Sequence, residues 1–257
     1  MVIVSINDLC LNFGGVHALS EVSLDIEEGA LVSIIGPNGS GKTTLLNVLS
    51  GIYKPDRGQI ILSGARIDGL RPDEITRRGI TRTFQLIRLF SSMTVMENIL
   101  VGGHVLVNTS LVDDFFNTSK KRLAQETLEQ KALALAEEFS LIPLLEESAD
   151  SLPYGTKRKV EIVRALVSNP KILLLDEPAA GMNNKESDDL KALIRAVNRR
   201  GHTIVLVEHD LQMVLSISDR VFVLNQGCKI ADSLPGDIHN NEEVIKAYVG
   251  TKKIALV

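Results

Sequence analysis

The chain is poor in cysteine. Cys10 and Cys228 are its two cysteines, far apart and without a C-x-x-C pair, so neither a disulfide framework nor a thiolate metal site is indicated, and a reducing compartment fits. It also lacks an excess of one charge. A formal net charge of −4 provides no basic field to attract nucleic acid or anionic lipid, so nucleic acid is not an expected partner. The short basic stretches Lys120-Lys121-Arg122 and Lys157-Arg158-Lys159 fall inside helical patterns and read as solvated helix faces. No apolar run approaches the roughly 18 to 20 residues of a spanning helix; ILLL at 172–175 and IVLV at 204–207 are far too short. The opening MVIVSINDLC has no basic region followed by an apolar stretch and a small-residue cleavage site, and reads as a first strand rather than a secretory signal. No internal repeat or low-complexity linker is visible.

What is present is an ordinary globular composition, 257 residues with 44% hydrophobic and 23% charged, enough for one large α/β domain or a core with an inserted subdomain. Alternating apolar positions at 2–9, 22–27 and 59–62 predict strands with one wet face, an antiparallel layer near the N-terminus. By contrast, 31–35, 171–175, 203–207 and 220–224 are nearly continuous apolar runs, as in buried parallel strands. Helical patterns at 185–199 after Asn183 and 210–217 after His209 alternate with them, giving an α/β core. From about 86 to 150 the rhythm changes. Leu128, Ala132, Leu135, Ala136 and Phe139 fall on one helical face, which predicts an inserted helical subdomain.

Between the strand 31–35 and a helical pattern from Thr44 to Leu49 lies Gly36-Pro37-Asn38-Gly39-Ser40-Gly41-Lys42-Thr43, which matches G-x-x-x-x-G-K-[ST] in the required strand-to-helix context. Gly36, Gly39 and Gly41 let the backbone wrap closely, so that successive N–H groups and the helix N-terminus face phosphate oxygens. Lys42 adds a positive charge for the β and γ phosphates, and the Thr43 hydroxyl offers a ligand to Mg²⁺. A second buried strand ends in Asp176-Glu177. Asp176 is placed to hold Mg²⁺, mostly through water. Glu177, one residue on, should point to the opposite side of the extended chain and orient or deprotonate the attacking water.

With these residues in place the chain resembles the nucleotide-binding subunits of ABC transporters. The resemblance implies a P-loop NTPase (RecA-like) parallel-sheet core with an N-terminal antiparallel β layer, one cassette spanning 1–257, and a helical subdomain at about 86–165. It implies ATP and Mg²⁺ as ligands and ATP hydrolysis as the activity. Gln85, in TRTFQ, matches the family's glutamine that contacts Mg²⁺ or the attacking water. His209, in LVEHD, matches the switch histidine of the γ-phosphate, and Phe13, in LNFGG, sits where an aromatic ring covers adenine. The signature loop, usually LSGGQ, is here Leu152-Pro153-Tyr154-Gly155-Thr156. Pro153 removes a serine hydroxyl and Thr156 replaces glutamine, while proline at a first helical position is tolerated. Asn183 stands where the family usually has aspartate, and its amide could still hydrogen-bond across a dimer.

In such cassettes the signature loop acts on a partner's ATP, so Pro153, Tyr154 and Gly155 are expected to face the nucleotide of a second ATP-binding subunit. The altered loop favours a heterodimer with two unequal sites over a homodimer. Longer stretches, among them RTFQLIRLFSSMTVMENILVG, LPYGTKRKVEIVRAL and VIKAYVG, resemble the ATP-binding subunits of bacterial branched-chain amino acid importers. That resemblance implies transmembrane permease subunits, an external solute-binding protein, and a cytoplasmic location at the inner face of the cell membrane. Residues 86–103 would form much of the groove that receives a coupling helix from the permease. Urea and other small solutes remain alternative cargoes, a soluble ABC ATPase without a transport role is a second reading, and a P-loop kinase is a third.

Overall fold

The computed structural model describes residues 1–83, 85–106 and 119–249. Phe84, residues 107–118 of the expected helical subdomain, Gly250 of the VIKAYVG ending and the side chains of Lys120 and Lys121 lie outside the described residues.

Two sheets share the chain. The antiparallel one has strand order β2-β1-β4-β5, from β1 (Val2–Phe13), β2 (Val16–Glu27), β4 (Arg57–Leu62) and β5 (Ala65–Arg66). Burial along β2 follows the apolar alternation, whereas β1 buries Leu9, Cys10 and Leu11 in succession where its pairing with β2 shifts register. The second has order β10-β9-β3-β8-β7-β6, built from β3 (Leu31–Ile35), β6 (Ile80–Arg82), β7 (Ile172–Asp176), β8 (Thr203–Val207), β9 (Arg220–Asn225) and β10 (Cys228–Ser233). Every pairing in it is parallel except the β9–β10 hairpin. All residues of β3, β7 and β8 are buried, which is why those strands read as unbroken apolar runs.

Helices α1 (Lys42–Leu49) and α2 (Pro72–Arg77) precede β6. Between β6 and β7 the described elements are helical: α3 (Val95–Gly102), α4 (Ser119–Glu138), α5 (Tyr154–Leu166) and short 3-10 turns. The remainder comprises α6 (Asn184–Arg199), α7 (Leu211–Ile217) and α8 (Glu242–Val249).

One core packs Leu45, Leu46 and Leu49 of α1 between the two sheets, against Ile6, Leu24 and Ile34. A second packs Val95, Ile99, Leu135, Val160 and Val163 of the helical segment, with Ile194 of α6, onto the opposite face of the parallel sheet at Leu173 and Leu206. The helices after β6 are therefore continuous with the main core.

One helix start differs from expectation. Pro153 is the residue before α5, at the N-cap and not the first helical position, and it contributes no side-chain cap. Asn183 caps α6, its Oδ1 accepting from Glu186 N–H at 3.0 Å while Glu186 bonds back to the Asn183 N–H, a reciprocal capping box. Its oxygen is thus committed within the chain. Arg158, expected on a solvated face, is fully buried, because its guanidinium has partners inside the protein, described below.

Helix α3 rests on α5 through Gly102, where a Cβ would lie 1.9 Å from the Arg164 carbonyl oxygen. Only glycine permits that approach. Gly102→Val is expected to destabilise the chain by about 1–3 kcal/mol or more through overpacking, read as a lower urea midpoint with an unchanged slope.

Candidate functional site

The loop from β3 to α1 is shaped by neighbours far away in sequence. Gly36, at φ +151°, has no room for a side chain, since a Cβ would meet the Leu224 carbonyl oxygen of β9 at 2.0 Å. Gly41, at φ +104°, is closed in the same way by the Ala18 carbonyl oxygen at 2.7 Å. The β9–β10 turn, Gln226-Gly227, has both residues at positive φ, as a two-residue hairpin requires, and its Gly227 N–H donates to the Ser40 carbonyl at 3.0 Å.

The result is a cavity of about 540 Å³ lined by Asn38, Gly39, Ser40, Gly41, Lys42, Thr43 and Thr44, with Val16, His17 and Ala18 on one side and Glu177 and Gln226 on others. Lys42 is buried, its Nζ donating to the Gly36 carbonyl at 2.8 Å and the Pro37 carbonyl at 3.1 Å. Burial pushes its pKa down, and the charges of Glu177 and Asp176 oppose that shift.

At the C-terminal ends of β7 and β8 stand three carboxylates with different partners. Asp176 is buried in an ion pair, its Oδ2 2.7 Å from Nη2 of Arg82. Arg82 also donates from Nη1 to Asn47 Oδ1 at 2.6 Å and Ser50 Oγ at 3.2 Å, fastening the strand end to α1. Glu177 accepts from Gln85 Nε2 at 2.7 Å. It does not continue the extended chain as expected. Its φ is +44°, a left-handed conformation that turns the backbone after β7, and it is this turn that brings the side chain to the cavity. Glu208, buried after β8, accepts from Ala179 N–H at 2.9 Å and His209 N–H at 3.2 Å. Desolvation pushes its carboxyl above the usual range, the nearby Glu177 charge adds to this, and the two N–H bonds counter it.

Other expected residues lie outside the cavity lining. His209 is 62% exposed, its Nδ1 3.7 Å from Glu208 Oε2. Phe13, at the end of β1, packs edge-on against Tyr53 with ring centroids 5.1 Å apart, while Val16 and His17 line the cavity nearby. Pro153 and Gly155 line a separate recess between α5 and α6, and the Tyr154 hydroxyl donates to the Ala180 carbonyl at 3.1 Å.

Helix α5 also holds the segment around Gln85. Arg158 donates to the Gln85 carbonyl at 2.8 Å and pairs with Glu161 at 2.6 Å. Arg164 donates to the Arg88 carbonyl at 2.6 Å, and the Arg88 N–H reaches Glu161 Oε1 at 3.4 Å.

This geometry meets a matching family model, that of the ABC transporter, over residues 19–180. The chain belongs to the ABC transporter family. It is 45% identical over 249 residues to the high-affinity branched-chain amino acid transport ATP-binding protein BraF of Pseudomonas aeruginosa, covering 96% of this chain and 98% of that protein. Among solved structures it resembles the ADP conformation of an ATP-binding cassette of an ABC transporter, with TM-score 0.85, 32% identity and coverage of 97% and 99% of the two chains. It also resembles a dimeric bacterial ABC transporter cassette, with TM-score 0.73, 26% identity and coverage of 90% and 98%.

Sequence reading did not single out Val16, His17, Gln226, Arg82 or Glu208. Only the Gln226-Gly227 turn between two apolar runs carried a local signal; the others acquire meaning through contacts at long sequence separation. Arg82→Met would leave the buried Asp176 charge without its partner. It is expected to cost about 3–5 kcal/mol, measured by chemical denaturation of the nucleotide-free chain.

Proposed function

We propose that this chain is the ATP-hydrolysing subunit of an ABC importer for branched-chain amino acids, one cassette over 1–257 with a helical subdomain at about 86–165. The observation that carries the reading is Glu177, held at the rim of the phosphate-loop cavity by Gln85. The cargo rests on the relative's name, since no residue here need touch the amino acid.

The residues fit ATP with Mg²⁺. The loop 36–43 offers main-chain N–H groups, Ser40 Oγ is buried without a hydrogen-bond partner, and Thr43 lines the cavity. Mg²⁺ would be held by the Thr43 hydroxyl and Gln85 together with the phosphates, with Asp176 acting mostly through water. Mg²⁺, when bound, neutralises developing phosphate charge. Lys42 exchanges its two carbonyl acceptors for β and γ phosphate oxygens. Glu177 orients the attacking water and accepts its proton, Gln85 positions that carboxylate, and His209 approaches the γ-phosphate once a partner closes the site. Phe13 and Val16 offer the adenine an apolar wall.

Pro153, Tyr154 and Gly155 stand apart from this chain's own phosphate cavity, which supports their acting on a second subunit's ATP. Lacking the serine hydroxyl at 153, this loop makes that second site unequal to the first, in a heterodimer. The exposed Leu86 and Phe90 beyond Gln85 give the coupling groove an apolar lining for the permease. Among the described residues no helix is long and apolar enough to cross a membrane, in keeping with a peripheral place on the inner face, beneath the permease and indirectly served by the external binding protein.

Glu177→Gln is expected to keep ATP affinity and lose about 10²–10⁴ in turnover, accumulating a closed dimer on gel filtration; wild-type turnover would remove Glu177 from this role. Pro153→Ser in the assembled complex is expected to change the partner-site hydrolysis rate in single-turnover assays, and an unchanged rate would overturn the two-site asymmetry. Co-purification from native membranes followed by solute uptake in a strain lacking this chain tests the cargo.

A further inference from the structure

The Glu177 turn is strained, and strain of this kind persists only where the surroundings fix it. A non-glycine residue held at positive φ costs about 1–3 kcal/mol. The Glu177 N–H donates to the Val207 carbonyl at 2.8 Å, continuing the β7–β8 ladder by one bond, and the Glu177 carbonyl accepts from Ala180 N–H at 3.2 Å. Between these two bonds, Ala179 is held from outside the turn by the Glu208 carboxylate. The same carboxylate, through its other oxygen, holds the main chain of His209. One buried group therefore ties the segment that presents Glu177 to the loop that presents His209.

We propose that Glu208 is a positioning residue for ATP hydrolysis, its carboxylate setting the spacing between Glu177 and His209 by bonding Ala179 with one oxygen and His209 with the other. The proposal rests on the functional reading given above and assigns a role to a residue outside the cavity lining.

The chemistry of the side chain explains why a carboxylate stands there. Burying it beside Glu177 is unfavourable on two counts, desolvation and like charge, so a group with no task beyond filling space would be better apolar. A carboxylate is acceptor-only and offers both oxygens to donors. Glutamine has nearly the same shape but a single acceptor oxygen, and its amide NH₂ would face one of the two N–H groups. Aspartate keeps the charge and loses one methylene, so it cannot span from the end of β8 to Ala179.

The test compares Glu208→Gln and Glu208→Asp with wild type in the full-length chain purified in its transporter complex, measuring steady-state ATPase and the melting midpoint on the same preparations. Both variants are expected to lose at least ten-fold in kcat with KM for ATP within two-fold of wild type, because the phosphate loop is not altered. If Glu208→Gln fails to fold, Glu208→Asp carries the test. Turnover within two-fold of wild type in either variant overturns the proposal, as does a rise in KM with kcat intact. Glu177→Gln assayed alongside separates the two readings. Full activity in that variant refutes the site assignment itself, whereas an inactive Glu177→Gln with wild-type Glu208 variants refutes only the role of Glu208.

Discussion

A Cβ on Gly36 would lie 2.0 Å from the Leu224 carbonyl oxygen, and the path of the phosphate loop follows from that contact. The loop leaves β3 pressed against the end of β9, is met from the antiparallel sheet at Ala18, and is bonded from the β9–β10 turn at Ser40. Two segments distant in sequence, at Ala18 and from Leu224 to Gly227, thus hold residues 36–43, a loop whose main-chain N–H groups stand at a helix N-terminus. Preorganisation of this kind needs the core between the two sheets, since Leu224 and Leu19, at and beside the bracing carbonyls, are packed in it.

The ends of β7 and β8 pose an electrostatic problem, because Asp176 and Glu177 both act on Lys42 and Glu177 also acts on the buried Glu208. The structure gives each a different partner. Asp176 has a buried guanidinium, Glu177 has the amide of Gln85, and Glu208 has two main-chain N–H groups. The most exposed arrangement belongs to Glu177, bonded to a neutral amide at the cavity rim, which leaves it free to exchange that bond for water. The buried ones serve as anchors.

Helix α5 is the mechanical neighbour of this site. Its buried Arg158 and Glu161, with Arg164, grip the main chain from Gln85 to Arg88, and Tyr154 at its start is bonded to the turn after Glu177. Movement of this helix would pull on the segment that carries Gln85 and, through it, on Glu177. On the role proposed above for Pro153, Tyr154 and Gly155, a partner's nucleotide would thereby bias the site of this subunit.

The sequence alone determined the parallel core, the antiparallel layer, the glycine-rich loop between β3 and α1 and the strand-end carboxylates, because each rests on short-range pattern: apolar runs, alternation, glycine spacing and a strand followed by charge. Helix α6 was legible down to its cap at Asn183. Tertiary structure decided the rest. The left-handed turn at Glu177, the burial of Arg158 within a lysine-rich stretch, the packing of Phe13 on Tyr53 and the partners of Arg82 and Glu208 all depend on residues brought together across tens of positions. A side chain's local type states what it can bond; only the packed fold states which donor or acceptor is within 3 Å of it.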